Sequence, residues 1–398
     1  MTSFQGYQRQ DGRKGIRNIV VVAYVIECAR HVAQKIASKF DERQVHLFGW
    51  SGCYPNDHGA MIMERLCTHP NVGAALLVSL GCEGFNRHKL RERIEASRRP
   101  VEMLVIQQEG GTVSTIRKGM EAVKRLQERI ADVPRVPMTM ADLIVGTKCG
   151  GSDATSGITA NPAMGAAFDR FIADGGRGIF EETGELIGCE YIMRDRANNP
   201  ALGEELVKAV HKAGKFYEVL GHGSFAPGNA EGGLTTQEEK SLGAYAKSGN
   251  SPITGILKPG VIPGKTGLYL MDMIPDGDVR FGFPNINDTA ELLELIACGA
   301  HMILFSTGRG SVVGSVVSPV IKVCANPETY DRMAGDMDVN AGRILRGQGT
   351  VAEVGAEIYE LMKKVAADRP TLSEELGHQE AVILYKQFEP LGPACFPA

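Results

Sequence analysis

Several features that would place the chain in a specialised class are missing from its 398 residues. Lysine and arginine together number 43 against 47 aspartate and glutamate residues, a formal charge of −4. No excess of positive charge therefore marks a surface for nucleic acid. Aromatic residues make up 6% of the chain, with one tryptophan, which argues against a stacking platform for sugars or nucleobases. We expect no nucleic-acid partner.

Long apolar stretches are also missing. The opening residues, MTSFQGYQRQDGRKG, hold no apolar core of a secretory signal, and no apolar run reaches the ~18 residues that a membrane span needs. The nine cysteines are widely spaced and no CxxC pair occurs, so the pattern fits neither a disulfide scaffold nor a zinc ribbon. We expect a cytoplasmic protein with reduced thiols and no membrane contact.

The usual nucleotide-binding motifs do not occur either. No GxGxxG fingerprint and no P-loop follows the first predicted strand, which disfavours an NAD enzyme. The segment 307–311 (TGRGS) is rich in glycine but lacks the GK[ST] ending of a P-loop. Within it, Arg309 is better interpreted as a clamp for the carboxylate of a small acid.

Glycine is abundant: the chain has 48 glycines among its 398 residues, whereas glycine makes up ~7% of the residues of an average protein. Hydrophobic residues at 43% and charged residues at 23% are typical of a globular chain. The glycines show no fixed period, which excludes collagen. The surplus predicts many tight turns in which backbone approaches backbone or a ligand.

Apolar strands and amphipathic helices alternate along the first part of the chain. Near-continuous apolar strands between helices are typical of a parallel sheet covered on both faces, so a small α/β unit is predicted. The predicted strands are residues 19–24, 45–50, 74–81 and 102–107, and the predicted helices are residues 27–40, 61–67, 88–99 and 112–130. A proline-bearing stretch at 132–137 resembles a linker. It limits the first predicted domain to residues 1–137.

The alternation begins again after this stretch and predicts a second, larger α/β domain over residues 138–398. Its predicted strands are residues 142–147, 178–182, 268–273, 302–306 and 320–324, and its predicted helices are residues 161–173, two within 186–220, 236–247, 288–298 and 351–367. Ligands of parallel α/β sheets bind beyond the carboxyl ends of the strands. The polar, glycine-bearing loops at those positions are residues 51–59, 81–84, 148–153, 181–185 and 306–311.

Three interpretations of Cys149 in the loop KCGGSD are open. It could be a nucleophile, a metal ligand beside carboxylate or imidazole partners, or a small buried thiol. A cluster site built from Cys53, Cys82 and Cys149 is conceivable, but no spacing supports it. Flanking Lys148 and Asp153 favour a functional role for Cys149.

Two adjacent glutamates, Glu181 and Glu182, would point to opposite faces if the strand continued through them, so one of them is expected to reach the site. Thr183 is then expected as a helix N-cap, with Glu185 in the first turn. Further along, the loop that contains Asn229 precedes a capping box in which Thr235 or Thr236 caps the next helix. His222 lies in a Gly-His-Gly loop and is either structural or catalytic.

Read in order, the polar motifs resemble the altronate/galactarate dehydratase family over nearly the whole chain. The motifs are GYQRQDGRKGIRN at 6–18, LGCE at 80–83, QQEGGT at 107–112, KCGGSD at 148–153, SGITANP at 156–162, ET at 182–183, GCE at 188–190, GN at 228–229, GGLTT at 232–236, EKSLG at 239–243, FSTGRGS at 305–311 and DMDVN at 336–340. Each motif alone is weak, and the ordered set is specific.

The resemblance implies a cytoplasmic hydro-lyase that dehydrates an aldonate or aldarate to a 2-keto-3-deoxy acid with a divalent metal, expected to be Fe²⁺, with Mn²⁺ or Mg²⁺ as alternatives. It implies an α/β dimerisation domain followed by a Rossmann-like metal-binding domain, and hence a homodimer. Family members often carry a small SAF domain ahead of this region, so a separate SAF-domain small subunit is an expected partner. The related sulfolactate sulfo-lyase has such a split, which makes a C–S lyase the alternative function. A non-catalytic metabolite-sensing subunit is a further alternative.

The site hypothesis assigns each candidate a role in binding a small anionic hydroxy acid or in eliminating its β-hydroxyl. The metal ligands are expected to be Cys149, Asp153 and Glu182; the catalytic residues Lys148, Cys149 and His222, with Lys148 or His222 as base; and the substrate-binding residues Ser152, Asn229, Thr235, Lys240 and Arg309.

Overall fold

Three sheets organise the fold of the computed structural model, which describes residues 3–220, 226–276 and 287–386. The strands are β1 (Phe4–Gln8), β2 (Lys14–Gly15), β3 (Ile19–Tyr24), β4 (Val45–Gly49), β5 (Val72–Ser79), β6 (Val101–Val105), β7 (Arg135–Met138), β8 (Ile144–Cys149), β9 (Arg177–Phe180), β10 (Ile253–Leu257), β11 (Gly267–Met271), β12 (Met302–Thr307), β13 (Val320–Cys324) and β14 (Val339–Asn340). The fold is α/β with mainly parallel sheets, which confirms the predicted class.

The helices lie between these strands. They are α1 (Glu27–Ala37), α2 (Asp57–Cys67), α3 (Arg87–Ala96), α4 (Thr112–Ala131), α5 (Ala160–Ala173), α6 (Glu190–Asp195), α7 (Pro200–Leu220), α8 (Pro227–Glu231), α9 (Gln237–Ala246), α10 (Asp288–Ala297), α11 (Pro327–Met333), α12 (Val351–Ala366) and α13 (Leu372–Glu375). None of the helices in the described ranges is both long and apolar enough to cross a membrane.

A four-stranded parallel sheet occupies the first part of the chain, in the order β4-β3-β5-β6. Every residue of β3 and β5 is buried, because α1 and α4 pack on one face of the sheet and α2 and α3 on the other. Burial on both faces explains the unbroken apolar runs from which these strands were predicted.

The larger sheet has seven parallel strands in the order β10-β11-β9-β8-β12-β13-β14. The chain moves from β8 to β9 on one side and later returns to place β12 on the other side of β8. The carboxyl end of β8 is therefore a topological switch point, the place where open α/β sheets bind their ligands.

A small antiparallel sheet, in the order β2-β1-β7, was not predicted from the sequence. The second half of the proline-bearing stretch interpreted as a linker, residues 135–137, instead belongs to β7, which pairs along β1 with Pro137 opposite Gln5. Prolines are tolerated because β7 is an edge strand and one side needs no hydrogen bonds. The linker prediction was wrong for these residues, and the domain boundary at 137 stays a prediction.

One hydrophobic core is shared by the two larger sheets. Phe48 and Ile62 of the first sheet layer belong to the same buried cluster as Leu292 and Phe305 of the second. Helix α2 packs against α10 at this junction. Because α10 also supplies side chains to the polar site at the end of β8, the first sheet layer supports that site from behind.

His301 ties the antiparallel sheet to β8. Its Nδ1 accepts a hydrogen bond from the Ile144 N–H at 3.0 Å, so the ring proton is on Nε2, which donates to the Lys14 carbonyl at 2.9 Å. The ring is fully buried, and burial lowers the pKa of His301 to about 4. A second proton would also convert Nδ1 to a donor and break its bond to Ile144.

We predict that His301 makes the fold acid-sensitive. Since its pKa in the folded state lies below the ~6.5 of an unfolded chain, its contribution is present above pH 6.5 and is lost as the pH falls towards 4. Between pH 6.5 and pH 4 the free energy of unfolding should fall by ~3 kcal/mol less in His301→Gln than in the wild type. Urea unfolding at both pH values measures the difference. The exposed His88→Gln variant is the control, and equal pH profiles for both variants would contradict the assignment.

Candidate active site

Strand β8 ends in a lysine and a cysteine that the structure places inside the sheet rather than in the loop after it. Lys148 and Cys149 are its last two residues and are 2% exposed. Ser306 of β12 pairs with Cys149, and Phe180 of β9 pairs with the preceding Thr147. Both side chains therefore sit at the switch point, between the ends of two neighbouring strands.

Four carboxylates surround the Lys148 ammonium group. Its Nζ donates to Glu182 and Glu291, and it lies 3.3 Å from a carboxylate oxygen of Glu181 and 3.3 Å from one of Asp288. Burial alone would lower the pKa of Lys148, but the surrounding carboxylates raise it well above its usual value. Lys148 is therefore held as a cation, a state that suits charge balancing better than proton abstraction.

The Cys149 thiol faces a second group of charges. Its Sγ lies 3.1 Å from Glu182 Oε2 and 3.3 Å from Glu185 Oε2, and Lys247 Nζ approaches the sulfur to 3.2 Å. Burial and the negative charges of Glu182 and Glu185 raise the pKa of Cys149 well above that of a free thiol. The thiol keeps its proton in this arrangement, and its single S–H has the carboxylates of Glu182 and Glu185 as alternative hydrogen-bond acceptors.

Glu182 holds the two groups together through an unusual backbone conformation. Strand β9 stops at Phe180, and Glu182 adopts the left-handed region with φ at 77°. The turn brings both Glu181 and Glu182 to Lys148, so the expectation that they face opposite sides was wrong. Left-handed conformations of non-glycine residues cost on the order of 1 kcal/mol or more and are concentrated at functional sites.

The hydroxyl of Thr183, the residue after Glu182, also has a different role from the one predicted. Thr183 was predicted to be an N-cap, but Glu182 occupies that position and Thr183 makes no capping bond. Its hydroxyl instead points to the end of β11, where the Met271 carbonyl and Asp272 lie 3.4 Å away. Thr183 thus joins the end of β9 to the end of β11.

Two lysines of α9 complete the site. Lys240 pairs with Glu185, and Lys247, one residue beyond the helix end, pairs with Glu182. Nearby negative charges outweigh burial and raise the pKa of both lysines. The seven-residue spacing places both ammonium groups on the same face of the helix.

The cluster contains more carboxyl groups than ammonium groups. Its five carboxyl groups, on Glu181, Glu182, Glu185, Asp288 and Glu291, face the ammonium groups of three lysines. Glu181 is completely buried, and among the described residues its oxygens have the ion pair with Lys148 but accept no hydrogen bond. Burial, with Glu182 and Asp288 nearby, raises the pKa of Glu291 to about 7 despite Lys148. Two negative charges remain, which protons or a divalent cation would balance.

The donor types fit a divalent metal. Ligand atoms of Cys149, Glu182 and Glu185 lie within 4.8 Å of one another, as do those of Glu181, Glu182 and Glu291. A thiolate with carboxylates suits a borderline cation such as Fe²⁺. Ammonium groups already contact both sets, Lys148 the second and Lys240 and Lys247 the first. The first set is the better metal site because it alone contains a soft sulfur ligand.

A second group of predicted residues lies around the loop after β12. Gly232 fits between Asp153 and Arg309, Asn229 donates to the Ser152 carbonyl at 2.9 Å, and Arg309 donates to the Gly228 carbonyl at 2.7 Å. These four predicted residues, Ser152, Asp153, Asn229 and Arg309, therefore lie together. They form a second group, called the rim here, which shares no side-chain hydrogen bond with the Lys148 cluster among the described residues.

The remaining predicted residues are placed as follows. The Asp153 carboxylate accepts bonds from Thr155 and from Asn326 and belongs to neither metal-ligating set found among the described residues. Thr235 is exposed and its hydroxyl donates to Glu239 at 2.7 Å, while Thr236 caps α9. His222 lies outside the described residues.

Sequence reasoning missed Lys247, Asp288 and Glu291 and regarded Glu185 mainly as a helix-capping residue. One signal was present in α10, whose sequence DTAELLELIA places acids at three-residue spacing within an otherwise apolar helix. A helix that is buried from its third residue onward and has such a polar ridge needs a charged partner. Lys240 and Lys247 show the complementary spacing on α9.

Comparisons with known proteins agree with the resemblance read from the motifs. The family model "D-galactarate/Altronate dehydratase, C-terminal" matches residues 140–388, and "D-galactarate dehydratase/Altronate hydrolase, second domain" matches residues 6–131. The (2R)-sulfolactate sulfo-lyase subunit beta of Chromohalobacter salexigens is 32% identical over 96% of this chain and 97% of its own length. Altronate dehydratases of Bacillus subtilis and Escherichia coli are 30% and 29% identical, over 96% and 95% of this chain and 77% of their own lengths.

We predict that Lys148 is required to hold the acidic cluster together. In Lys148→Met four buried or half-buried carboxylates lose their shared cation, so the free energy of unfolding at pH 7 should fall by ~3–5 kcal/mol. The partly exposed pair of Lys118 with Glu109 is the matched control, and Lys118→Met should cost less than ~1 kcal/mol. Chemical denaturation of both variants measures the difference, and equal losses would show that Lys148 does not stabilise the cluster.

Proposed function

The chain belongs to the D-galactarate/altronate dehydratase family, and we propose on that premise that it is a metal-dependent hydro-lyase acting on a small sugar acid. The product would be a 2-keto-3-deoxy acid. The observation that carries the proposal is the buried set of Cys149, Glu182 and Glu185 at the switch point of the large sheet. Family members named for the dehydration of altronate and galactarate support it.

The reaction sets two demands. A proton must leave the carbon next to the substrate carboxylate, which is a very weak acid, and the hydroxyl on the following carbon must depart as water. The first needs a base and stabilisation of the resulting negative charge, and the second needs an acid. A site that combines cations, carboxylates and a metal meets both demands.

The metal proposed for the site is Fe²⁺, with Mn²⁺ or Mg²⁺ as alternatives, held by Cys149, Glu182 and Glu185. When bound, it would supply a positive charge that stabilises the enediolate and polarises the leaving hydroxyl. Metal binding requires the Cys149 thiol to lose the proton that its raised pKa retains. Asp153, expected from the sequence as a ligand, is better suited to order its own loop through Thr155 and Asn326.

Side chains of the site are proposed to bind the substrate and to transfer protons. In this proposal Lys240 and Arg309, which pair with Glu185 and Glu231 in this structure, would bind substrate carboxylates. Ser152 and Asn229 would contact the substrate from the rim. Glu291 has a pKa of about 7 and can hold or release a proton at its carboxylate near neutral pH. The buried walls exclude water and so strengthen every charge interaction in the site. The role of His222 as base stays a prediction.

A second candidate is the large subunit of a C–S lyase. The sulfolactate sulfo-lyase subunit beta aligns over nearly its full length. Elimination of sulfite and elimination of water next to a carboxylate need the same proton abstraction, so one cluster could serve either reaction. Its name as a subunit supports the proposal of a separate small partner, here an SAF-domain chain. The homodimer and the cytoplasmic location stay predictions.

The substrate test is an anaerobic screen of the Fe²⁺-loaded protein over aldonates, aldarates and sulfolactate, with and without a small SAF-domain subunit. Keto-acid formation from a sugar acid is the expected result, and sulfite release from sulfolactate would assign the second candidate. An absence of turnover under every condition would contradict both lyase proposals and favour a metabolite-sensing subunit.

We predict that Cys149→Ser lowers both bound iron and kcat by at least ~10- to 100-fold, because it replaces a soft ligand with a harder, weaker one. Iron content and turnover are measured on the same preparation. Cys82→Ser changes an exposed thiol and should leave both values unchanged. Full iron content and activity in Cys149→Ser would exclude Cys149 as a ligand.

A further inference from the structure

A cavity of about 290 Å³ lies at the edge of the seven-stranded sheet opposite the candidate active site. It is lined at the amino ends of β8 and β9 by Ile144 and Arg177, and on the side of the antiparallel sheet by Arg13 and Lys14. The cavity is large enough for a small organic acid or a phosphate ion with several waters, at ~30 Å³ each.

Positive charge is concentrated around this cavity. Arg13, Lys14 and Arg177 line it, and Arg9 and Arg99 lie directly behind, where they donate to the carbonyls of Pro70 and His69 at 2.6 and 3.1 Å. The carboxylates paired with these cations are Asp11, which contacts Arg13 and Arg99, and Asp142, which contacts Lys14. Five cations therefore share two carboxylates among the residues that the structure describes.

The excess positive charge also contributes to the lowered pKa values of two neighbouring groups, Arg9 and His301. Burial and the nearby Arg99 lower the pKa of Arg9 to about 9. Burial lowers the pKa of His301, which also lines the cavity, to about 4, and Arg177 and Arg13 add to that fall. An anion in the cavity would relieve this repulsion.

Arg177 is the cation best placed to receive such an anion. Its guanidinium donates to two main-chain carbonyls, those of Asp142 at 2.9 Å and Pro263 at 3.3 Å. Within residues 3–220, 226–276 and 287–386 it forms no ion pair within 4.0 Å, and the Asp142 carboxylate, which also lines the cavity, acts on it only from a longer distance. The side chain is half-buried, and the two carbonyl acceptors fix the orientation of its guanidinium group. Such guanidinium groups bind carboxylate and phosphate oxygens in bidentate geometry.

We propose that this cavity is a binding site for a small dianion bearing carboxylate or phosphate groups, held by Arg177, Lys14 and Arg13. The site is distinct from the candidate active site, because β8 and β9 begin at the cavity and end beside the Lys148 cluster. The bound anion would join the starts of the two strands that carry that cluster to the antiparallel sheet.

The test measures the binding of inorganic phosphate and of succinate to the full chain by isothermal titration calorimetry, with sodium chloride at matched ionic strength. Both dianions contain the required oxygens, so the tighter of the two identifies the class of ligand. The variants are Arg177→Met and Lys14→Met, and the control is Arg117→Met, an exposed arginine paired on the surface of α4. Lys240→Met removes an anion-binding group of the candidate active site instead.

The proposal expects saturable binding of at least one dianion and no equivalent effect of chloride. Arg177→Met should weaken binding at least tenfold, Lys14→Met should weaken it less because Lys14 is partly neutralised by Asp142, and Arg117→Met and Lys240→Met should leave it unchanged. If Arg177→Met does not fold, Lys14→Met and a charge-retaining Arg177→Lys variant, expected to bind more weakly than wild type, replace it. Absence of binding, an equal response to chloride, or loss in Lys240→Met alone would overturn the proposal.

Discussion

One buried lysine holds the functional end of this fold together. Lys148 lies inside the large sheet, and its ammonium group is the meeting point of carboxylates from the end of β9 and the start of α10. Taking those carboxylates out of water would be prohibitively unfavourable without it. The left-handed turn at Glu182 and the approach of α10 to β8 both bring carboxylates to that cation. Cys149 and the α9 lysines then extend the same charged network towards the proposed metal.

Glycine makes this close packing possible. A Cβ on Gly150 would lie 2.2 Å from an oxygen of Asp288, and a Cβ on Gly308 would lie 2.0 Å from an oxygen of Asp153. Both glycines sit where strands of the large sheet end and a carboxylate crosses the backbone. The high glycine content of the chain is thus explained at these two positions by a need for space rather than by left-handed torsion angles.

The predictions from the sequence were correct where the hydrophobic pattern of neighbouring residues was sufficient. Strands such as Ile19–Tyr24 and Val320–Cys324 are apolar on both faces, so the parallel sheets and most helix positions were recognisable from periodicity. They failed where partners lie far apart in the chain. The antiparallel strand at Arg135–Met138 looks like a linker until Phe4–Gln8 pairs with it, and Lys247 and Glu291 are separated from Lys148 by about a hundred residues or more.

The amino-acid sequence by itself determined the α/β class, the family and several of the groups in the charged cluster, among them Lys148, Cys149, Glu182 and Lys240. Those features are properties of apolar periodicity and of motifs a few residues long. The tertiary structure decided which of these groups share a cluster, that Asp153 is bonded away from it, and that Glu181, Glu185, Glu291 and Lys247 belong to it. The physical reason is that a buried charge selects its partners by distance in the fold and by the lack of water, and neither is encoded in local spacing.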